Sequence, residues 1–148
     1  MSDTEQHKQD ALTLADFSHH RDEKVRYRDT DRQGHVNNAV FSTFYECSRT
    51  EILYDPKRQL VSAQREFVIV TITIDYLAEL NWPGEVTIGT RVARLGKSSV
   101  TCEQVIFQND VLASRATSVM VMMDTESRKS TALPVEAIAS LKEFIAAK

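Results

Sequence analysis

The spacing of apolar and polar residues divides this chain into a first strand, one helix, four further strands and a closing helix. Val25 and Tyr27 alternate with charged neighbours, which predicts a strand over Glu23–Asp29. A polar turn, Asp31–Asn38, follows it. From Ala39 to about Tyr54, the residues Val40, Phe41, Phe44, Tyr45, Ser48, Ile52 and Leu53 recur at separations of three and four. That predicts an amphipathic helix with a stripe wider than a coiled-coil seam. Asp55-Pro56 ends it, because the proline ring disfavours helical geometry in the residue before it. Period two then takes over. In Phe67–Leu77 the even positions Val68, Val70, Ile72, Ile74 and Tyr76 form an apolar row, opposite Thr71, Thr73 and Asp75 with Phe67 and Ile69. Pro83-Gly84 marks a turn, Glu85–Leu95 sets Val86, Ile88 and Val92 on one face, and Gly96-Lys97 marks another turn. Ser98–Phe107 and Val111–Met123 follow, joined by Asn109-Asp110.

Four strands in succession with tight links predict an antiparallel meander. A strand, a long helix and then four antiparallel strands are packed most economically if the sheet curves around the helix, an α+β architecture. The last strand supports this, since Ala113, Ser114, Ala116, Thr117 and Ser118 are small enough to let another element approach closely. Pro134–Ala147 reads as a final helix with Val135, Ile138, Leu141 and Ile145 on one face, docking on an edge or end of the sheet. Residues 1–22 carry little hydrophobic pattern beyond Ala11–Phe17 and read as a loose tail before a domain spanning 23–148.

Composition narrows the function classes. With 148 residues, 42% hydrophobic and 26% charged, the chain fits one domain with a substantial core. A net charge of −3, with no window mixing basic and aromatic residues, argues against nucleic acid as a partner. Cys47 and Cys102 are too few and too far apart for a disulfide framework or a Cys-x-x-Cys site. The acidic start MSDTEQHKQD is no signal peptide, and no apolar run reaches spanning length, so a cytoplasmic protein without membrane attachment is expected.

Several chemistries lack their motifs. No G-x-S-x-G occurs, so a serine hydrolase elbow is absent. Leu95-Gly96-Lys97-Ser98 resembles the end of a phosphate loop, but Arg91 stands where its first glycine belongs and the segment lies between strands. His7, His19 and His20 fall in the polar tail, and no histidine has a partner at zinc-binding spacing, so neither metal nor cofactor is expected. Asp31 remains, six or seven residues before Asn37 and Asn38 at the helix start. Amides in a helix's first turn lack intrahelical partners and can hold an oxyanion, so a carboxylate and an oxyanion site could share one pocket. The same residues have a plainer reading. Asp29, Thr30 and Asp31 are ordinary turn formers, and His35, Asn37 and Asn38 ordinary packing or capping residues.

The segment VRYRDTDRQGHVNNAVFSTFYECSRTEIL, Val25–Leu53, resembles the signature of hotdog-fold acyl-CoA thioesterases of the 4-hydroxybenzoyl-CoA thioesterase type. In that signature an Asp follows the first strand, a Gly leads into the central helix, and an aromatic and a helical Arg come later; Asp31, Gly34, Phe41 or Phe44, and Arg49 correspond. The DTD run and YECSRTEIL are similar to Tol–Pal-associated bacterial acyl-CoA thioesterases, and HVNNA to long-chain acyl-CoA thioesterases. YLAELNWPGEV, GKSSV and Met123–Pro134 extend the likeness, which covers residues 23 to about 145. Phe41 stands where tyrosine is common, and the aromatic-acyl enzymes lack His35 and the paired asparagines, which points away from an aromatic acyl substrate.

The resemblance implies a five-stranded antiparallel sheet wrapped around a long central helix, and hydrolysis of acyl-CoA to free acid and CoA. Asp31 would act as nucleophile or as general base on water, with the Asn38 N–H polarising the thioester carbonyl. His35 and Asn37 would orient the turn or a water. Gly34 and Phe41 would shape the acyl site, while Arg94, Lys97, Arg128 and Lys129, with Ser98 beside them, would meet the CoA phosphates. A homodimer is the minimum assembly implied, and a homotetramer of stacked dimers the next. Two other functions fit the same fold. A hotdog enoyl-CoA hydratase would separate its Asp and His by five and include Asn-Pro, whereas His35 follows Asp31 by four. A non-catalytic acyl-CoA-binding module would have no need of Asp31.

Overall fold

The computed structural model describes residues 12–145. Its elements are β1 (His19–Val25), α1 (Asn38–Leu53), β2 (Arg65–Tyr76), β3 (Gly84–Leu95), β4 (Ser99–Gln108), β5 (Val111–Asp124) and α2 (Val135–Leu141), which runs on into a 3-10 turn over Lys142–Phe144. The five strands form one antiparallel sheet in the order β1-β3-β4-β5-β2, with α1 packed on one face: a hotdog fold.

The meander expected of all four later strands holds only for β3, β4 and β5. β2 pairs with β5, not with β3, and so becomes the outer strand. Alternation shows that a segment is a strand but does not choose its neighbour. The link from β2 to β3 is too long for a two-residue hairpin. Its Leu77 and Ala78 amides donate to the Ala113 carbonyl, and its Leu80 carbonyl accepts the Val36 N–H at 2.9 Å, so it crosses the end of the sheet instead of folding back.

β2 also departs from its predicted faces. Ile69 pairs with Met120 and Thr71 with Val119, leaving Val70 as a bulge. One extra residue exchanges the faces beyond it. Phe67 is therefore buried in the core cluster of Ile52, Leu53, Met120 and Met122, while Ile72 and Ile74 pack after the bulge against the cluster of Phe41, Phe44, Tyr45 and Ile106. Val70, predicted to share one apolar row with them, is 61% exposed.

The first strand lies four residues earlier than predicted. His19–Val25 pairs with Thr90–Gly84, and Tyr27–Asp29 is a 3-10 turn. The part of the expected tail that is described thus contributes to the sheet, with Phe17 buried over Gly89 and Val105; residues 1–11 lie outside the described residues. Polar alternation suffices for β1 because it is an edge strand, half-exposed along its length.

α1 buries Phe41, Phe44, Tyr45, Ser48, Arg49, Ile52 and Leu53. The small residues of β5 admit it as expected: the Tyr45 hydroxyl donates to Ser114 Oγ at 2.6 Å. α2 is shorter than the predicted Pro134–Ala147 segment. It buries Ala137 and Leu141 and continues to buried Phe144, whereas Val135, expected on that face, is 79% exposed; residues 146–148 lie outside the described residues. Among the described residues no helix is long and apolar enough to cross a membrane.

Candidate active site

The site is built on the passage from β1 into α1. The buried Asp29 carboxylate accepts the Arg26 N–H at 2.8 Å and the Arg26 guanidinium at 3.0 Å, which folds residues 27–29 into their turn. Its carbonyl accepts the Asn37 N–H at 2.8 Å and so fixes the entry to the helix. Of the two acids in Asp-Thr-Asp, Asp29 holds the loop together and Asp31 faces a cleft.

Asp31 opens a tight hairpin. Its N–H donates to the His35 carbonyl at 2.9 Å, its carbonyl accepts the Gly34 N–H at 3.0 Å, and its Oδ1 accepts the Gln33 N–H at 2.9 Å. Gly34 sits at φ +83°, with no atom within 4 Å of where a Cβ would stand, so backbone conformation and not space requires glycine there. Gly34→Ala is expected to lower stability by about 1–2 kcal/mol, read as a drop in the thermal midpoint.

Asn37 caps α1: its Oδ1 accepts the Ala39 N–H at 3.0 Å and its carbonyl the Val40 N–H at 2.9 Å. That leaves the intervening Asn38 N–H without an acceptor among the described residues. Such an orphan amide at the positive end of a helix can receive an oxyanion.

A cleft of about 300 Å³ brings these parts together, lined by Asp31, Gln33, His35, Asn38, Phe41 and Tyr76 among others. Phe41 is 2% exposed and forms its floor. The Tyr76 hydroxyl donates to the Asn38 carbonyl at 3.2 Å, and its ring meets Phe41 edge-on at 5.0 Å. His35 Nε2 lies 3.0 Å from Glu79 Oε2. The arrangement sets a carboxylate, an imidazole and a free helix-start amide around one half-open, partly apolar space.

Four of the residues singled out from sequence, Asp31, His35, Asn38 and Phe41, therefore share one cleft. The Asn37 side chain is committed to its cap, and Gly34 shapes the hairpin. Arg94, Lys97, Ser98 and Arg128 lie elsewhere. β3 starts at Gly84, paired with Val25 beside the site, and ends at Leu95 roughly 35 Å away. Arg128 is at that far end, 3.6 Å from Glu66. A single chain does not bring these four to Asp31. Tyr76 and Glu79 were missed as cleft residues because Tyr76 reads as one more position of a strand and Glu79 as a loop acid; only the fold brings the end of β2 and the crossing link to the helix start.

The profile of the thioesterase-like superfamily matches residues 25–147. The chain belongs to that superfamily. This member is 31% identical over 124 residues to an acyl-CoA thioester hydrolase, YbgC, of Escherichia coli O6:H1, covering 81% of this chain and 92% of the relative. It is 30% identical over 117 residues to the acyl-CoA thioesterase YbgC of Haemophilus influenzae, covering 76% and 86%. Among solved structures, a Thermus thermophilus thioesterase crystallised with coenzyme A and Zn superposes with a TM-score of 0.75 at 28% identity, over 87% of this chain and 95% of that one. Among the described residues of this superfamily member, no cluster of three or more metal-ligating side chains occurs.

Proposed function

We propose that the protein hydrolyses acyl-CoA thioesters to free acid and CoA, as the names of its YbgC relatives suggest. The observation that carries this reading is the shared cleft of Asp31 and the free Asn38 amide. The thioester carbonyl rests on that amide, where removing one such donor typically costs on the order of 3 kcal/mol of transition-state stabilisation. Asp31 attacks the carbonyl carbon to form an acyl anhydride, which water then cleaves, or it takes a proton from a water that attacks directly. Either way the C–S bond breaks and the thiolate leaves as CoA. His35, tethered by Glu79, orients the water or the turn, and Asn37 keeps the amide in place through its cap.

Two chains complete the site in this reading. β2 is an edge strand twelve residues long with apolar Ile69 and Val70 exposed, at 48% and 61%. Long apolar edges invite pairing, whereas the β1 edge is blunted by charge, with His19 and Arg21 both paired to Glu51. Antiparallel pairing of two β2 strands about a two-fold axis sets the Arg65 end of one against the Tyr76 end of the other. Arg94, Lys97, Ser98 and Arg128 of one subunit then approach the Asp31 cleft of its mate, where they meet the CoA phosphates. A cytoplasmic homodimer is the unit, with stacked dimers giving a homotetramer.

The test is release of free thiol from acyl-CoAs of graded chain length. Turnover of at least one aliphatic acyl-CoA is expected; binding without release from any thioester would make the protein a non-catalytic acyl-CoA-binding module.

A further inference from the structure

The Asp31 cleft has two unlike sides, which give an acyl chain one direction to take. Asp31, His35 and Glu79 make one side polar, while Val36, Phe41 and Tyr76 make the other largely apolar. With the thioester carbonyl held at the Asn38 amide, the carbon chain leaves along the apolar side. That side is closed at its inner end. Val36 and Phe41 are 3% and 2% exposed, and behind them Phe44, Tyr45 and Leu80 belong to the core cluster and do not line the cleft. The gap that remains, between the first turn of α1 and the end of β2, is spanned by Tyr76. Its hydroxyl donates to the Asn38 carbonyl at 3.2 Å and its ring stands edge-on to Phe41 at 5.0 Å, so a ring that is 49% exposed is still held in place.

Volume sets the scale. At roughly 30 Å³ for a water-sized group, a cleft of about 300 Å³ holds about ten, and the thioester with its attacking water takes about four, leaving about six for acyl carbons. A longer chain has to leave by the open side past Leu77, 43% exposed, where added methylenes stay in water. Pairing along β2 does not extend the apolar path, because the strand end set against Tyr76 begins Arg65-Glu66.

We propose that Tyr76, braced on Phe41, is a specificity-determining residue that limits the substrate to short acyl chains, up to about six carbons. The inference rests on the hydrolase reading for its thioester and on the cleft alone for its wall. Its test is a series from acetyl-CoA to dodecanoyl-CoA, together with S-dodecyl-CoA, a thioether that binds without being cleaved. In the wild type kcat/KM is expected to rise about fourfold per methylene up to hexanoyl-CoA and then to level off or fall, since only buried methylenes contribute. Tyr76→Ala leaves partly buried Ile74, two residues back on the same face of β2, as the next wall. That variant is expected to raise the dodecanoyl-to-hexanoyl ratio of kcat/KM, and the affinity for S-dodecyl-CoA, by about tenfold or more, at about fourfold for each methylene newly buried. Tyr76→Phe, which keeps the ring, is expected to keep the wild-type ratio. A wild-type kcat/KM that climbs on to dodecanoyl-CoA, or a Tyr76→Ala ratio equal to the wild type's, would overturn the inference and leave the hydrolase reading intact. Should no thioester release thiol, tighter binding of S-dodecyl-CoA by Tyr76→Ala than by the wild type would keep the wall and remove only the hydrolase reading; equal affinities would remove both.

Discussion

Asp31→Asn is expected to lower acyl-CoA turnover by roughly 10²–10⁴-fold while the protein keeps its fold. The substitution is nearly isosteric. Asn Oδ1 can still accept the Gln33 N–H that Asp31 Oδ1 accepts at 2.9 Å, so the hairpin and the Asn38 amide beside it are kept. What is lost is the carboxylate oxygen that, in the proposed mechanism, attacks carbon or draws a proton from water. The loss should fall on kcat, with KM little changed, because in the proposed site the acyl chain and the CoA moiety touch other groups. Rates from a thiol-release assay, read beside an unchanged melting curve, separate this from unfolding. Undiminished turnover in Asp31→Asn would remove the carboxylate from the mechanism and leave the helix-start amide to act with water alone. Asp29→Asn is the informative contrast: Asp29 is 2% exposed and ties Arg26 to the turn, so its replacement should lower stability first.

Val70→Lys is expected to convert the proposed dimer into monomers and to reduce activity in the same proportion. Val70 is the bulged residue of β2, 61% exposed on an edge that has no partner strand among the described residues. A lysine in mid-edge is the device by which natural sheets prevent edge-to-edge pairing. In the isolated chain the substitution touches little, so the thermal midpoint should move only through the lost association. Sedimentation equilibrium reports the mass, and thiol release at matched protein concentrations reports the activity. A monomeric variant with full activity would show that one chain holds the complete site, and that Arg94, Lys97, Ser98 and Arg128 serve no neighbouring cleft. A variant that stays dimeric would place the interface elsewhere on the sheet.

The core of this protein was legible in its sequence wherever a periodic pattern ran long enough. The α1 stripe from Phe41 to Leu53 and the turn-bounded strands β3, β4 and β5 agree with the structure to within a residue or two. The local build around Asp31, Gly34 and Asn38 was legible because turn chemistry, a positive-φ glycine and a helix start act through local geometry. β1 was misjudged because its hydrogen bonds with Thr90–Gly84 make it a strand although its residues are mostly polar. The continuous row predicted for β2 failed because one bulge at Val70 exchanges the faces, and a bulge leaves no trace in composition.

The chain by itself therefore determined its elements, the local build of the Asp31 hairpin and its resemblance to acyl-CoA thioesterases, since periodicity, capping and turn chemistry are written in residues close together in sequence. The tertiary structure alone decided which strands are neighbours, how the end of β2 and the crossing link bring Tyr76 and Glu79 to the helix start, and that Nη1 of the buried Arg49 has no hydrogen-bond partner among the described residues. Each of these depends on contacts between residues far apart in the chain, and such contacts are chosen by packing of the whole domain and not by any local preference.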